Sequence, residues 1–266
     1  MASGPIKKNN VTIIDRGNNA TPMIFAHGFG TNQTAWEKVS KAFADDYKII
    51  LYDNVGAGKA DISAYSPNKY DNLDSYANDL LDICQELDIQ DAIMVGHSVS
   101  GMISILADIA EPHRFKKMIL IGATARYLND GDYTGGFDQE SLNNLYQAMA
   151  NNYFAWVSGF APAAMANEDK PELAESFAAT LSALRPDIAQ SVARVIFQSD
   201  YRDKLSGCKT ETLLLQTQRD IAVPLEAAEY LHNNLENSEL KIINAEGHFP
   251  HISAPDEIIA AMKKFI

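Results

Sequence analysis

A serine, an aspartate and a histidine, each just past a short apolar run, are the side chains of this 266-residue sequence best suited to nucleophilic chemistry. Ser98 lies in VGHSVSG (95–101), one letter from the G-x-S-x-G pattern of a nucleophile elbow, with Ser100 in place of the last glycine. The turn in such an elbow is so sharp that residues two before and two after the serine must be small; Gly96 meets that demand and Ser100 is small enough. The bland alternative for this stretch alone is an ordinary strand–helix turn. A serine hydroxyl is a poor nucleophile until a base takes its proton and an acid holds the base. The expected chain order is Ser, Asp or Glu, then His.

The base is sought among six histidines, His27, His97, His113, His232, His248 and His251. His27 and His97 belong to strand-end motifs, and His113 and His232 lie within or beside helical patterns. His248 stands in AEGHFPH (245–251), after the last expected strand and before the final helix, where a glycine-flanked backbone can aim an imidazole at the strand ends. His251 is its nearby competitor, read as wall or supporting side chain. For the acid, LLLQTQRDIAVP (213–224) puts Asp220 just past a strand, where a carboxylate accepts the imidazole N–H and holds its tautomer. An aspartate capping the next helix is the plain alternative, and Asp200 and Asp203 are weaker candidates. AHGFG (26–30) has the form of a loop that supplies a backbone N–H to an oxyanion, so Phe29 and Val99 are the expected donors, against the alternative of a glycine turn.

These loops need a scaffold, and alternation supplies it. Val11–Asp15 reads as an opening strand followed by a Gly-Asn turn. PMIFAHG (22–28), YKIILYD (47–53), AIMVGHS (92–98), KMILIGA (117–123), ETLLLQT (211–217) and SELKIINA (238–245) follow, apolar along most of their length, as expected of strands buried on both faces of a parallel sheet. Helical spacing is seen from Asn72 to Leu87, Ser100 to Ile109, Leu225 to Leu235 and Pro255 to Ile266. The fold class is therefore α/β, a mostly parallel sheet with helices on both faces. From Arg126 to Leu205, roughly eighty residues pass without a convincing strand. This aromatic-rich interval suggests helices at 137–151, 153–166, 171–184 and 186–199, with Pro171 and Pro186 at first-turn positions. It reads as a lid (126–205) inserted between two parts of a core (1–125 and 206–266).

Composition narrows the function. With 22 basic and 35 acidic residues the net charge is −13, which repels phosphate backbones and anionic lipid, so neither nucleic acid nor a membrane surface is an expected partner. Two cysteines far apart, no apolar segment at the N-terminus and no stretch fit to span a membrane point to a soluble, cytoplasmic protein. No metal-ligand cluster, P-loop or dinucleotide fingerprint is present, so neither metal nor cofactor is expected; DNVGAGKAD (53–61) reads as a loop beside the site. A serine at the elbow argues against dehalogenase and epoxide-hydrolase chemistry, which use aspartate there.

With HGFG, GHSVS, the acid and the histidine placed, the sequence resembles the α/β-hydrolase clade that contains the bacterial stress regulator RsbQ and the plant karrikin and strigolactone receptors. The resemblance spans essentially the whole chain and is carried by HGFGTNQTAW (27–36), LYDNVGAG (51–58), GHSVSGMI (96–103), RYLND (126–130), GGF (135–137), RPDIAQSV (185–192), IFQSD (196–200) and GHFPHIS (247–253). Serine in the place of Ser100 is usual in that clade. The resemblance implies a lid of four helices in two V-shaped pairs over a deep apolar cavity. Its walls would include Phe29, Tyr127, Phe137, Trp156, Phe160, Ile196, Phe197 and Ala222, with His27 and His97 at the strand ends. Read from spacing alone, such an aromatic stripe is more often core than pocket. The cavity would suit a small apolar ester, lactone or butenolide. Two function classes are implied: a hydrolase working through an acyl-serine, or a signalling regulator that binds or slowly cleaves a ligand and reports through its lid to a protein partner. For RsbQ that partner is a PAS-domain phosphatase. A non-catalytic binding module is a third, weaker class.

Overall fold

The computed structural model describes residues 3–17 and 20–266. Its strands are β1 (Thr12–Ile14), β2 (Pro22–Ala26), β3 (Lys48–Tyr52), β4 (Ala92–His97), β5 (Phe115–Ile121), β6 (Thr212–Arg219) and β7 (Ser238–Glu246). Its helices are α1 (Pro5–Lys8), α2 (Glu37–Lys41), α3 (Asp74–Glu86), α4 (Val99–Ala110), α5 (Gln139–Asn151), α6 (Tyr153–Met165), α7 (Pro171–Ser182), α8 (Pro186–Gln198), α9 (Leu225–Asn234), α10 (Pro250–Ser253) and α11 (Pro255–Phe265). The expected turn after the first strand includes Asn18 and Asn19, which lie outside the described residues.

The seven strands are ordered β1-β3-β2-β4-β5-β6-β7, with β1 antiparallel to β3 and every other pair parallel. Strand periodicity divides their side chains between two cores. Met23, Phe25, Ile49, Leu51, Ile93, Val95, Ile119 and Ile121 face one layer, shared with Trp36, Phe43 and residues of α11. Ile24, Ala26, Ile50, Tyr52, Met94, Met118 and Leu120 face the other, shared with α3, α4, α9 and the inserted helices. Central strands buried on both faces explain the near-continuous apolar runs. One edge departs from that expectation, since only Ile243 of β7 is buried; at the other edge β1 is exposed throughout. An edge strand has one neighbour and half its cover, so SELKIINA alternates with charge.

The order reverses between β2 and β4, because the chain steps outward to β3 and then returns to the other side of β2. In open α/β sheets such a switch point leaves a crevice at the carboxyl ends of the strands, where ligands bind. His27 and Ser98 follow β2 and β4 at that crevice. Between β5 and β6 lies the four-helix lid, α5 to α8, in which α6 packs on α7 and α5 packs on both α6 and α8. Its base is closed by ion pairs linking Arg126 to Asp200 and Arg202 to both Asp200 and Asp130. Residues of RYLND and IFQSD thus join the entry and exit of the lid.

Candidate active site

Ser98 follows β4 and caps α4 with φ 55° and ψ −126°, a conformation non-glycine residues rarely adopt. The tightness of the turn shows at Gly96, where an added Cβ would stand 2.7 Å from the Ser100 carbonyl oxygen. Ser100 is more than a small residue. Its hydroxyl donates to the His27 carbonyl at 2.6 Å, and the Asn54 amide donates to the same oxygen at 3.1 Å, tying the loop after β2 to the elbow. A glycine at position 100 would lack that bond. Ser98 also stands at the N-terminus of a helix, where the macrodipole favours negative charge.

Ser98, His248 and Asp220 come together as one hydrogen-bonded chain. Ser98 Oγ donates to His248 Nε2 at 2.8 Å, and His248 Nδ1 donates to Asp220 Oδ2 at 2.7 Å. The other carboxylate oxygen, Oδ1, accepts the N–H groups of Ala222 at 2.8 Å and Val223 at 3.1 Å. Those two donors fix the orientation of the carboxylate. Asp200 is bound instead by Arg126 and Arg202 at the base of the lid, held below the usual carboxylate range chiefly by its hydrogen bonds to Arg202. Tyr127 is buried with its hydroxyl 3.3 Å from Ser98 Oγ, and burial pushes that hydroxyl far above its ordinary pKa, so it stays protonated as a donor to the serine.

The loop carrying His248 is clamped from two sides. Its N–H donates to the Ala164 carbonyl, one of the last of α6, at 2.8 Å, and its carbonyl accepts His97 Nε2–H at 2.8 Å. The final carbonyls of a helix have no partner in the helix, so α6 has acceptors to offer the loop. The preceding Gly247 has φ +84°, and a Cβ there would lie 2.1 Å from the Met165 carbonyl oxygen. Gly247→Ala is expected to destabilise the fold by roughly 3–4 kcal/mol, through strain at positive φ and a backbone collision. A urea midpoint equal to that of the wild type would contradict this.

Phe29 and Val99 face the same small apolar cavity of about 30 Å³, with His27, Val55, Ile103 and Ile196 among its other lining residues. Neither the Phe29 nor the Val99 N–H donates to another group among the described residues. Several aromatics that the resemblance implies as cavity walls pack on one another and do not line this cavity. Tyr127 and Phe137 both contact Phe197, at centroid distances of 5.2 and 5.3 Å, and Trp156 stacks on Phe160 at 4.9 Å. Ala222 serves the carboxylate through its N–H rather than lining this cavity, and His97 lies buried behind His248.

Three buried histidines are kept from protonation mainly by burial: His27 is lowered, His97 well lowered, and His251 brought to about 3. The unfolded chain takes up these protons near pH 6.5, whereas the folded protein does so only at lower pH. Stability is therefore full above pH 6.5 and falls as pH drops below it, by roughly 1.4 kcal/mol per unit for each group that remains neutral in the fold. Urea midpoints compared at pH 7.5 and 5.5, above the carboxylate range, are expected to show this loss; a flat profile would contradict it.

The sequence pattern of the alpha/beta hydrolase fold family matches residues 21–255. The chain belongs to the α/β-hydrolase family. Within it, this α/β hydrolase is 41% identical over 259 residues to "Karrikin insensitive 2 receptor CA" of Petunia hybrida, covering 97% of this chain and 95% of the relative. It is also 41% identical over 256 residues to "Strigolactone esterase D14" of Arabidopsis thaliana, covering 96% and 95%. These matches place it in the karrikin–strigolactone receptor-like clade. Among solved structures, a hydrolase from Oleispira antarctica, olei00960, superposes with a TM-score of 0.94 at 30% identity, covering 100% of this chain and 98% of the other. The α/β sheet expected from the alternation of strands and helices, and the hydrolase fold implied by the resemblance, are thus the fold observed. What spacing could not supply were Asn54, the hydroxyl role of Ser100 and the lid carbonyl of Ala164, all brought to the site by chain segments remote in sequence.

Proposed function

We propose that this protein is a serine hydrolase that cleaves a small apolar ester, lactone or butenolide through an acyl-serine intermediate. The observation that carries this reading is the Ser98–His248–Asp220 hydrogen-bonded chain beside an apolar cavity. In this mechanism Ser98 Oγ attacks the carbonyl carbon while its proton passes to His248 Nε2. Asp220 stabilises the imidazolium, and the Phe29 and Val99 N–H groups receive the negative oxygen. His248 then protonates the departing oxygen, which in a lactone stays tethered to the acyl group. Water attacks the acyl-serine with His248 as base, and the proton returns to Ser98 as the acid leaves. The apolar cavity lies against Phe29 and Val99, the residues whose N–H groups are proposed to receive the oxyanion.

A second reading, a ligand-operated regulator acting through its lid on a protein partner, is favoured by one contact. The His248 N–H is bonded to α6 of the lid, so lid movement and base position are linked. The relatives named as receptors agree with it. Both readings are tested by turnover of a short-chain p-nitrophenyl ester and a butenolide probe, with intact-mass detection of adducts. Rapid turnover supports the ordinary enzyme, and slow turnover with a persistent adduct supports the regulator. Neither turnover nor adduct would overturn the proposed chemistry.

A further inference from the structure

His97 precedes the nucleophile in the chain and takes no part in the proton relay, yet it touches both the loop that carries the base and the loop after β2. Its ring is completely buried. On one edge, Nε2–H donates to the carbonyl of His248 at 2.8 Å. On the other, Nδ1 has no hydrogen-bond partner among the described residues and lies against the loop after β2, where a Cβ on Gly28 would stand 2.5 Å away. The ring faces are packed as well, with centroids 4.8 Å from His248, 5.0 Å from Phe249 and 4.3 Å from His251. Its backbone is the end of β4, in register with Ile121 of β5 and continuous with the elbow.

We propose that His97 is a positioning residue: a rigid strut that sets the His248 loop and the Phe29 loop at fixed distances from Ser98. This rests on the serine-hydrolase reading above. Other bonds to the base loop come from α6, from Thr217, whose hydroxyl donates to the Gly247 carbonyl at 2.9 Å, and from the Arg219 carbonyl, which accepts the Gly247 N–H at 2.8 Å. The His97 bond differs because it starts from the residue next to the nucleophile, so it sets base and nucleophile directly against each other. Gly28 is required for the same reason, since any side chain there would meet the imidazole edge. Burial holds the ring neutral, which leaves a single proton, and the bond to His248 places that proton on Nε2.

The chemistry of the donor decides the test. A glutamine nitrogen can reach the position of Nε2, an asparagine nitrogen stops near that of Nδ1, and leucine has no donor. His97→Leu, His97→Asn and His97→Gln are compared with the wild type for kcat and KM on p-nitrophenyl acetate, for thermal midpoint, and for the low-field proton resonance of the His248–Asp220 bond. His97→Leu is expected to lose on the order of 10- to 100-fold in kcat at nearly unchanged KM, as a small misplacement of reacting groups does, and to lose or broaden the resonance. His97→Gln is expected to keep both. If His97→Leu does not fold, Gln against Asn decides, with Asn expected to show the loss. Equal kcat and resonance in Gln and Asn, or a wild-type resonance in folded His97→Leu, would overturn the strut. The resonance reads the base without any turnover. A wild type inactive on every ester would therefore sink the hydrolase reading while the strut is judged separately.

Discussion

Ser98→Ala is expected to lower kcat by roughly a millionfold and to abolish any acyl adduct, because the alanine leaves the ester carbonyl without an attacking atom. The fold should survive. Ser98 has only 5% of its surface exposed, and its hydroxyl is bonded to His248 and Tyr127, both of which keep other packing. The strain at φ 55° remains in the alanine variant, so thermal stability should change little. Residual rate would come from the Phe29 and Val99 donors and from substrate binding. Burst kinetics with a p-nitrophenyl ester, together with intact mass, check the expectation. An alanine variant that still forms an adduct would place the nucleophile elsewhere.

Asp220→Asn is the second large effect, expected at roughly 10⁴-fold in kcat with the backbone undisturbed. The reason lies in what surrounds the carboxylate. Oδ1 accepts two backbone N–H groups and Oδ2 accepts the His248 Nδ1–H, so every neighbour is a donor. An asparagine has one acceptor and one donor. Turned to satisfy Ala222 and Val223, it presents N–H₂ to His248 Nδ1. The imidazole then carries its proton on Nε2, where it can no longer accept from Ser98. Because the residues act as one unit, the double variant with Ser98→Ala should be no slower than Ser98→Ala alone. Rates that multiply in the double variant would show that Asp220 works independently of the relay.

The order and loop placement of Ser98, Asp220 and His248 were legible because strand ends are local events. An apolar run followed by Gly-His-Ser or by Arg-Asp places a side chain at one rim of a parallel sheet, whatever the rest of the chain does. The helices of the lid were legible for a similar reason, with Pro171 and Pro186 starting α7 and α8 at their first turns. Short elements were missed: α1, α2 and α10 have 4, 5 and 4 residues, too few for a helical period to register. SELKIINA reads as a strand buried on both faces, whereas β7 is an edge with only Ile243 buried, since sequence does not reveal how many neighbours a strand has.

Tertiary structure alone decided which polar group serves which. Asp200 and Asp220 are both aspartates beside loops, and only the fold gives one to arginines and the other to His248. His97 and His251 look like pocket or wall residues in sequence, yet they pack on each other as tilted, fully buried rings behind the base. The aromatic stripe is compatible with core or cavity wall, and in the structure Phe137 packs on Phe197 and Trp156 on Phe160, away from the cavity beside Phe29 and Val99. A sequence records the period with which residues repeat along a strand or helix, and so which face is apolar. Hydrogen-bond partners 28 and 150 residues apart, such as Asp220 with His248 and Ser98 with His248, are chosen by how the layers pack.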